Sequence, residues 1–207
     1  MKTIEYFYSA YSAYAYLGSA EFLRIAAAAG RKIVHCPYDL RPTVVAVGST
    51  EMRSRPDNHR AYFFGREMAR WAEQRGIPML AWPQHHTNDP SLANRVLIAA
   101  EQMGHNVDAL AHTMLESHWV RDTDLADADT LRSLCAEVEL EGDSLVAAAD
   151  GKAAIAQYQA NTEEAVARSV FGSPTYFVDG DMFYGQDRLH MVERALSKPY
   201  AGTWPPA

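Results

Sequence analysis

The spacing of apolar and polar positions divides this chain into three parts. Thr3-Ile4-Glu5-Tyr6-Phe7-Tyr8 is short and aromatic-rich and predicts a strand. After Ser9-Ala10-Tyr11-Ser12, the apolar residues Leu17, Phe22 and Ile25 share one face of a helix, with Ser12 as a candidate N-cap and Gly30 as its stop. Lys32 to Tyr38 then predicts a second strand, so the chain opens as β-α-β. From about 41 to 150 no convincing strand occurs, and Ala, Leu, Glu and Arg recur at helical spacing. Helices are predicted over 60–75, 90–103, 107–119, 129–138 and 144–157. Gly76-Ile77-Pro78 and Gly104 act as stops, and Asp127-Ala128-Asp129 and Gly142-Asp143-Ser144 as starts. Beyond Asn161-Thr162-Glu163-Glu164, a helix through Ser169 leads to a strand entered at Pro174, a second strand around Met182-Phe183-Tyr184, and a last helix over 186–196.

The order β-α-β, helical block, α-β-β-α predicts an α/β, thioredoxin-like fold with a large all-helical insertion. The expected bounds are 1–40 for the N-terminal half of the thioredoxin-like domain, 41–157 for the insertion and 158–207 for the C-terminal half. The two halves must pair across the insertion, so neither is expected to fold alone.

Composition narrows the function classes. With 207 residues, 48% of them hydrophobic, the chain can bury one substantial core. A net charge of -7 without a basic run argues against nucleic acid or an anionic membrane as a partner. Apolar stretches such as Ile25-Ala26-Ala27-Ala28-Ala29 are far too short to span a bilayer. Met1-Lys2-Thr3-Ile4-Glu5 enters the strand pattern directly, without the features of a signal peptide, which favours the cytoplasm. Cys36 and Cys135 form no Cys-x-x-Cys pair, so neither a disulfide framework nor a dithiol site is supported, and both read as small buried hydrophobes.

The chemistry concentrates at two places. Gly172-Ser173-Pro174 before an apolar run is how thioredoxin-like folds introduce a cis-proline beside the reactive end of their first helix. At that helix start, unpaired N–H groups and the helix dipole favour an anion. Oxidoreductases put a low-pKa cysteine there. This chain has Ser12-Ala13-Tyr14-Ala15, which excludes thiol exchange at that place and leaves a hydroxyl able to donate to a thiolate brought by a cofactor.

Three blocks carry a resemblance that spans nearly the whole chain: Tyr6 to Leu17, Arg70-Trp71-Ala72-Glu73-Gln74-Arg75-Gly76-Ile77-Pro78, and Val170 to Thr175 with Phe183-Tyr184-Gly185-Gln186-Asp187-Arg188-Leu189. Together they resemble the 2-hydroxychromene-2-carboxylate isomerases, relatives of kappa-class glutathione transferases within the DsbA-like group. The resemblance implies an isomerase of aromatic hydrocarbon catabolism, dependent on glutathione and commonly a homodimer. Ser12 would be catalytic, contacting the glutathione sulfur. Ser173 and Pro174 would pair with the glutathione peptide, Gln186 and Asp187 would hold its γ-glutamyl end, and Arg60 its glycyl carboxylate. The substrate, a small aromatic carboxylate, would lie in a slot built around Trp82, His85, His86, Asn88, Asn94 and Arg95. Ser12-Ala13 stands where the family has Ser-Pro, Ser9 where an acidic residue is common, and no asparagine occurs over 51–54. A kappa-type glutathione transferase or peroxidase, or a thiol-less DsbA-like binding protein, are the other readings.

The same residues have plainer readings. Ser12 is a good helix cap as well as a sulfur ligand. Arg60 is equally well a solvated helix residue. His85-His86 raises a metal site, with Asp89 and His112 or His118 as partners, but adjacent histidines diverge and no spaced motif occurs, so no metal is expected.

Overall fold

The computed structural model describes residues 2–202, 204 and 205. An N-terminal β-α-β half and a C-terminal β-β-α half meet in one four-stranded sheet of order β2-β1-β3-β4. Strands β1 (Thr3–Tyr8) and β2 (Lys32–Pro37) run parallel; β3 (Thr175–Val178) lies antiparallel to β1, and β4 (Asp181–Tyr184) antiparallel to β3. The N-terminal half thus supplies the sheet's central β1, and the C-terminal half closes its second edge. Tyr6 faces Tyr176 and Phe7 faces Thr175 across that junction, which fixes Pro174 at the level of the residues that leave β1.

Alternation along β1 sorts its side chains between the two faces of the sheet. Ile4, Tyr6 and Tyr8 belong to the main core; Tyr6 stacks on Tyr8 at 4.1 Å and on Tyr176 at 5.3 Å, with Phe22 of α1 (Ala13–Ala28) against Tyr6 and Tyr176. Phe7 faces the other way, with Cys36, Tyr38, Phe177, Val170 and Ala165. The Tyr8 hydroxyl lies 2.9 Å from His35 Nδ1, and His35 Nε2 lies 2.9 Å from Asp108 at the start of α6 (Asp108–Arg121). Burial acts to raise the Asp108 carboxyl, but the hydrogen bond and charge of His35, the hydrogen bond from Asn106 and the charge of Lys32 together outweigh it and hold the group below its ordinary value. As a carboxylate only accepts, Nε2 carries the proton and Tyr8 donates to Nδ1.

Between β2 and β3 the chain is helical: α2 (Leu40–Ala46), α3 (Asp57–Arg60), α4 (Met68–Arg75), α5 (Ser91–Gln102), α6, α7 (Ala128–Glu137), α8 (Gly142–Ala149) and α9 (Lys152–Ala167), with α10 (Leu189–Ser197) after β4. One apolar cluster runs without a break from Tyr6 and Phe22 to Leu97, Trp119 and Leu134, so the helical block and the sheet share a core. Among the described residues no helix is long and apolar enough to cross a membrane.

Three differences from the sequence-based expectation have local causes. The helix predicted over 60–75 begins at Asp57 and is wound as π-helix over Ala61–Glu67. The one predicted over 144–157 breaks at Asp150-Gly151, where Gly151 leaves helical geometry (φ -75°, ψ 153°) and starts α9. The expected boundary at 157/158 consequently falls inside α9, which runs on to Ala167 and packs beside the sheet. Helix α2, with only seven residues and Pro42 in its first turn, has too little periodicity to stand out.

Candidate active site

Ser12 caps α1. Its backbone is extended (φ -70°, ψ 121°), and its Oγ accepts the N–H of Ala15 at 3.3 Å, as an N-cap hydroxyl should. The same Oγ donates to the carbonyl of Ser173 at 3.2 Å. Ser173-Pro174 is a cis peptide bond, and Ser173 Oγ accepts from the N–H of Ser9 at 3.2 Å. Residues 161 positions apart therefore meet at the end of β1, with the loop 9–12 clamped between α1 and the proline turn. The N–H groups of Ala13 and Tyr14, in the first turn of α1, and of Ser173 have no backbone or side-chain acceptor among the described residues. This is an anion-favouring helix start, and no thiol stands in it. Cys36 and Cys135 are both buried, and burial raises the two thiols, Cys135 to about 11.

A second residue holds the loop from beneath. Asn94 of α5 is fully buried; its Oδ1 accepts from Ala10 N–H at 2.9 Å, and its Nδ2 donates to Ser9 Oγ at 3.2 Å and to Tyr158 OH at 3.4 Å. Sequence reading put Asn94 in the substrate slot. The structure puts it under the serine loop, where it works through Ser9 and Ala10.

The residues proposed for the two ends of glutathione divide. Gln186 is 1% exposed and faces inward: its Oε1 accepts from Arg75 Nε at 3.0 Å and Nη2 at 2.5 Å, leaving Nε2 buried without a partner. Its side chain is therefore buried and committed to Arg75, where an outward, ligand-facing position was expected of it. Asp187 is partly exposed and paired with Arg188, close enough to Tyr14 to add to the upward shift that burial gives that phenol. Arg60 turns back on its own loop, pairing with Asp57 and donating to the carbonyl of Arg53 at 3.0 Å.

Gln186 also explains a glycine. A Cβ on Gly18 of α1 would stand 2.7 Å from Gln186 Cβ and 3.3 Å from Leu189 Cδ1, so α1 meets the last helix backbone to side chain. Gly18→Ala is expected to lower stability by about 1–3 kcal/mol through this overpacking. Thermal unfolding measures it, and an unchanged midpoint would show that the last helix yields freely.

The expected slot residues also separate. Arg95 donates to the carbonyl of Ala149 at 2.9 Å and pairs with Asp150, bracing α5 against the end of α8; it belongs to that junction and not to a slot. Asn88 donates to Asp124 at 2.9 Å, and His85 stands 3.7 Å from the same carboxylate, so both look toward the loop after α6. His86 and Trp82 enter an aromatic group beside the serine: from the His86 ring, centroids lie 5.0 Å away for Tyr11, 4.9 Å for Trp82, 4.9 Å for Trp119 and 6.5 Å for Phe64. Trp82 is 53% exposed and forms the outer lip. Trp119 Nε1 donates to the carbonyl of Tyr11 at 2.9 Å, which fixes the inner wall. Of the tyrosine-rich run, Tyr6, Tyr8, Tyr11 and Tyr16 are buried in the main core, Tyr11 also facing His86, while Tyr14 is partly buried and donates to the carbonyl of Phe63.

Arg41 of α2 was not singled out from the sequence. Its guanidinium carbon lies 5.4 Å from the centroid of the Tyr11 ring, and it has no carboxylate partner among the described residues. Burial raises the Tyr11 phenol, with Arg41 working against that rise.

His86 Nδ1 and His118 Nε2 are 3.0 Å apart, and His118 Nδ1 is 3.0 Å from the carbonyl of Thr123. Burial, then the charges of His118, Arg41 and Arg53, press the His86 pKa down to about 3. An unfolded histidine titrates near ~6.5. Between these values the unfolded chain binds the proton and the folded one does not, so the stability is full above the unfolded value and is lost as pH falls toward about 3. The expected loss attributable to His86 between pH 7 and pH 4 is on the order of 3 kcal/mol. Urea unfolding at pH 7 and pH 4, with His86→Phe flattening the difference, checks it.

Among the described residues no group of three or more His, Cys, Asp or Glu side chains is arranged to hold a metal ion.

Comparison with known proteins matches residues 3–197 to the model of the DsbA-like thioredoxin domain. A 2-hydroxychromene-2-carboxylate isomerase of Sphingobium xenophagum is 26% identical over 195 residues, covering 94% of this chain and 98% of its own. One from Pseudomonas putida is 25% identical over 197 residues, 94% of each chain. Among solved structures, a 2-hydroxychromene-2-carboxylate isomerase superposes with a TM-score of 0.77 at 22% identity over 95% of both chains. The cytosolic disulfide reductase DsbM of Pseudomonas aeruginosa, solved with GSH, gives 0.61 at 18% identity over 95% of this chain and 93% of its own. These curated relatives bear the name of the group that the three sequence blocks resemble. With a four-stranded mixed sheet, a serine-capped first helix facing a cis-proline, and a family model matched from the first strand to the last helix, the chain belongs to the DsbA-like thioredoxin family.

Proposed function

We propose that this protein is a glutathione-dependent isomerase of an aromatic substrate of the 2-hydroxychromene-2-carboxylate type. The observation that carries the reading is Ser12: a hydroxyl, in place of a thiol, at the first turn of α1 and 3.2 Å from the carbonyl that precedes the cis-proline. The names of the curated relatives, similar over 94% of the chain, support the substrate class.

The residues present fit a tripeptide at its centre. Ser173 offers a free N–H beside Ser12, the pattern by which an extended peptide adds to a strand-like edge. Asp187, partly exposed and paired with Arg188, would take an ammonium group in exchange for that partner. Bound glutathione would supply a thiolate able to add reversibly to a conjugated carbon–carbon double bond. Ser12 then donates its hydroxyl to the sulfur in place of the Ser173 carbonyl, and the free amides of Ala13 and Tyr14 favour negative charge there. Tyr11, Phe64, Trp82 and His86 offer an aromatic wall of mutually inclined rings that begins one residue from that serine.

The test is turnover of the chromene acid with and without glutathione, beside conjugation of chlorodinitrobenzene. Isomerisation that needs glutathione supports the proposal; conjugation without isomerisation points to a kappa-type transferase instead.

A further inference from the structure

We propose that the aromatic wall selects a hydroxyaryl acid through two side chains with separate tasks: Arg41 takes the carboxylate, and the Nε2 lone pair of His86 accepts the substrate's hydroxyl. The proposal rests on the preceding section for the presence of an aromatic acid, and on the structure for the groups that hold it.

The tautomer of His86 follows from its partners. The Thr123 carbonyl can only accept, so His118 Nδ1, 3.0 Å away, carries the proton. A neutral His118 then has its lone pair on Nε2, and His86 Nδ1, 3.0 Å from it, must be the donor. That leaves the lone pair of His86 on Nε2. This atom has no donor among the described residues and is not among the polar atoms sealed from solvent. The ring is flanked by Tyr11, Trp82 and Phe64, so an aromatic molecule lying against them meets an acceptor and no donor at this point. A neutral His86 with that lone pair outward cannot take a carboxylate, which needs a donor or a positive charge.

Arg41 supplies what His86 lacks. It is half-buried, its guanidinium carbon 5.4 Å from the centroid of the Tyr11 ring that also meets His86, with no ion pair to break among the described residues. Its positive charge reaches His86, where it opposes protonation, so the two groups support each other's state. A substrate that is flat, carries a carboxylate and presents a hydroxyl proton satisfies both.

Three probes separate these tasks in calorimetric titrations: 2-hydroxycinnamate, cinnamate without the hydroxyl, and 2-vinylphenol without the carboxylate. The wild-type protein is expected to bind 2-hydroxycinnamate about tenfold tighter than cinnamate, the effect of one paired hydroxyl in a dry site. In His86→Phe that ratio should fall to about one while cinnamate binding persists. Arg41→Met should weaken both acids about tenfold or more and leave 2-vinylphenol unchanged. Nitrogen-15 NMR of the His86 ring provides a readout free of ligand, with Nδ1 protonated and Nε2 bare. An Nε2–H tautomer, an unchanged hydroxyl ratio in His86→Phe, or undiminished acid binding in Arg41→Met would overturn the proposal. Probe discrimination as expected, in a protein inactive on the chromene acid, would refute the isomerase function and leave this assignment standing.

Discussion

Replacing Ser12 with alanine is expected to lower glutathione-dependent turnover about 10²–10³-fold, the usual cost of removing one preorganised donor from a developing anion. The fold should survive. Alanine loses the cap on the Ala15 N–H, worth about 1 kcal/mol, and the donor to the Ser173 carbonyl, which already has a neighbouring proline turn to hold it. Glutathione binding measured by calorimetry should change little if Ser173 and Asp187 grip the peptide, so the defect should fall on turnover. Near wild-type turnover in this variant would remove Ser12 from the chemistry and return it to being a helix cap.

The largest structural effect is expected at Asn94. Asn94→Leu keeps most of the volume but leaves the buried Ala10 N–H without its acceptor and Ser9 Oγ and Tyr158 without their amide donor. Stranding the Ala10 N–H alone costs about 1–3 kcal/mol, and the loop it supports carries Ser12. A fall in melting temperature of about 4–10 °C is expected for a chain of this size. Turnover should fall with it, because the loop 9–12 would no longer be pinned from below. Asn94→Asp retains the acceptor for Ala10 and should recover most of the activity. If Asp rescues nothing, the contact with Ala10 is not what positions the serine.

The parts of the fold that were legible in the sequence are those with local signatures. The alternation in Thr3–Tyr8, the Ser12 cap, the Gly30 stop and the Pro174-entered strand each depend on residues within a few positions of one another, and each appears where expected. Gln186 was misjudged for the opposite reason. Its partner Arg75 lies 111 positions away, and a short polar run at the head of a helix reads the same whether its side chain faces a ligand or a buried guanidinium. Arg95 likewise looked like slot chemistry until α8 ended against it. Arg41 was passed over because α2 is short and nothing near it in sequence marks Tyr11 as its neighbour. The break at Asp150-Gly151 was open to detection from Gly151 itself, since a glycine inside a helical run is a frequent stopping point.

The crossing of the chain between β2 and β3 also orders events during synthesis. Residues 3–8 leave the ribosome long before the strand that covers their second edge, Thr175–Val178. Until it arrives, the backbone groups of Ile4 to Phe7 on that side have no partner within the chain, and an exposed strand edge invites pairing with another nascent chain. A chain truncated before residue 173 would carry Ser12 and most of the apolar core, yet it would be a better substrate for chaperones and proteases than for any ligand. Activity therefore requires the chain to have been made at least through residue 173, because only then does the serine acquire its facing carbonyl.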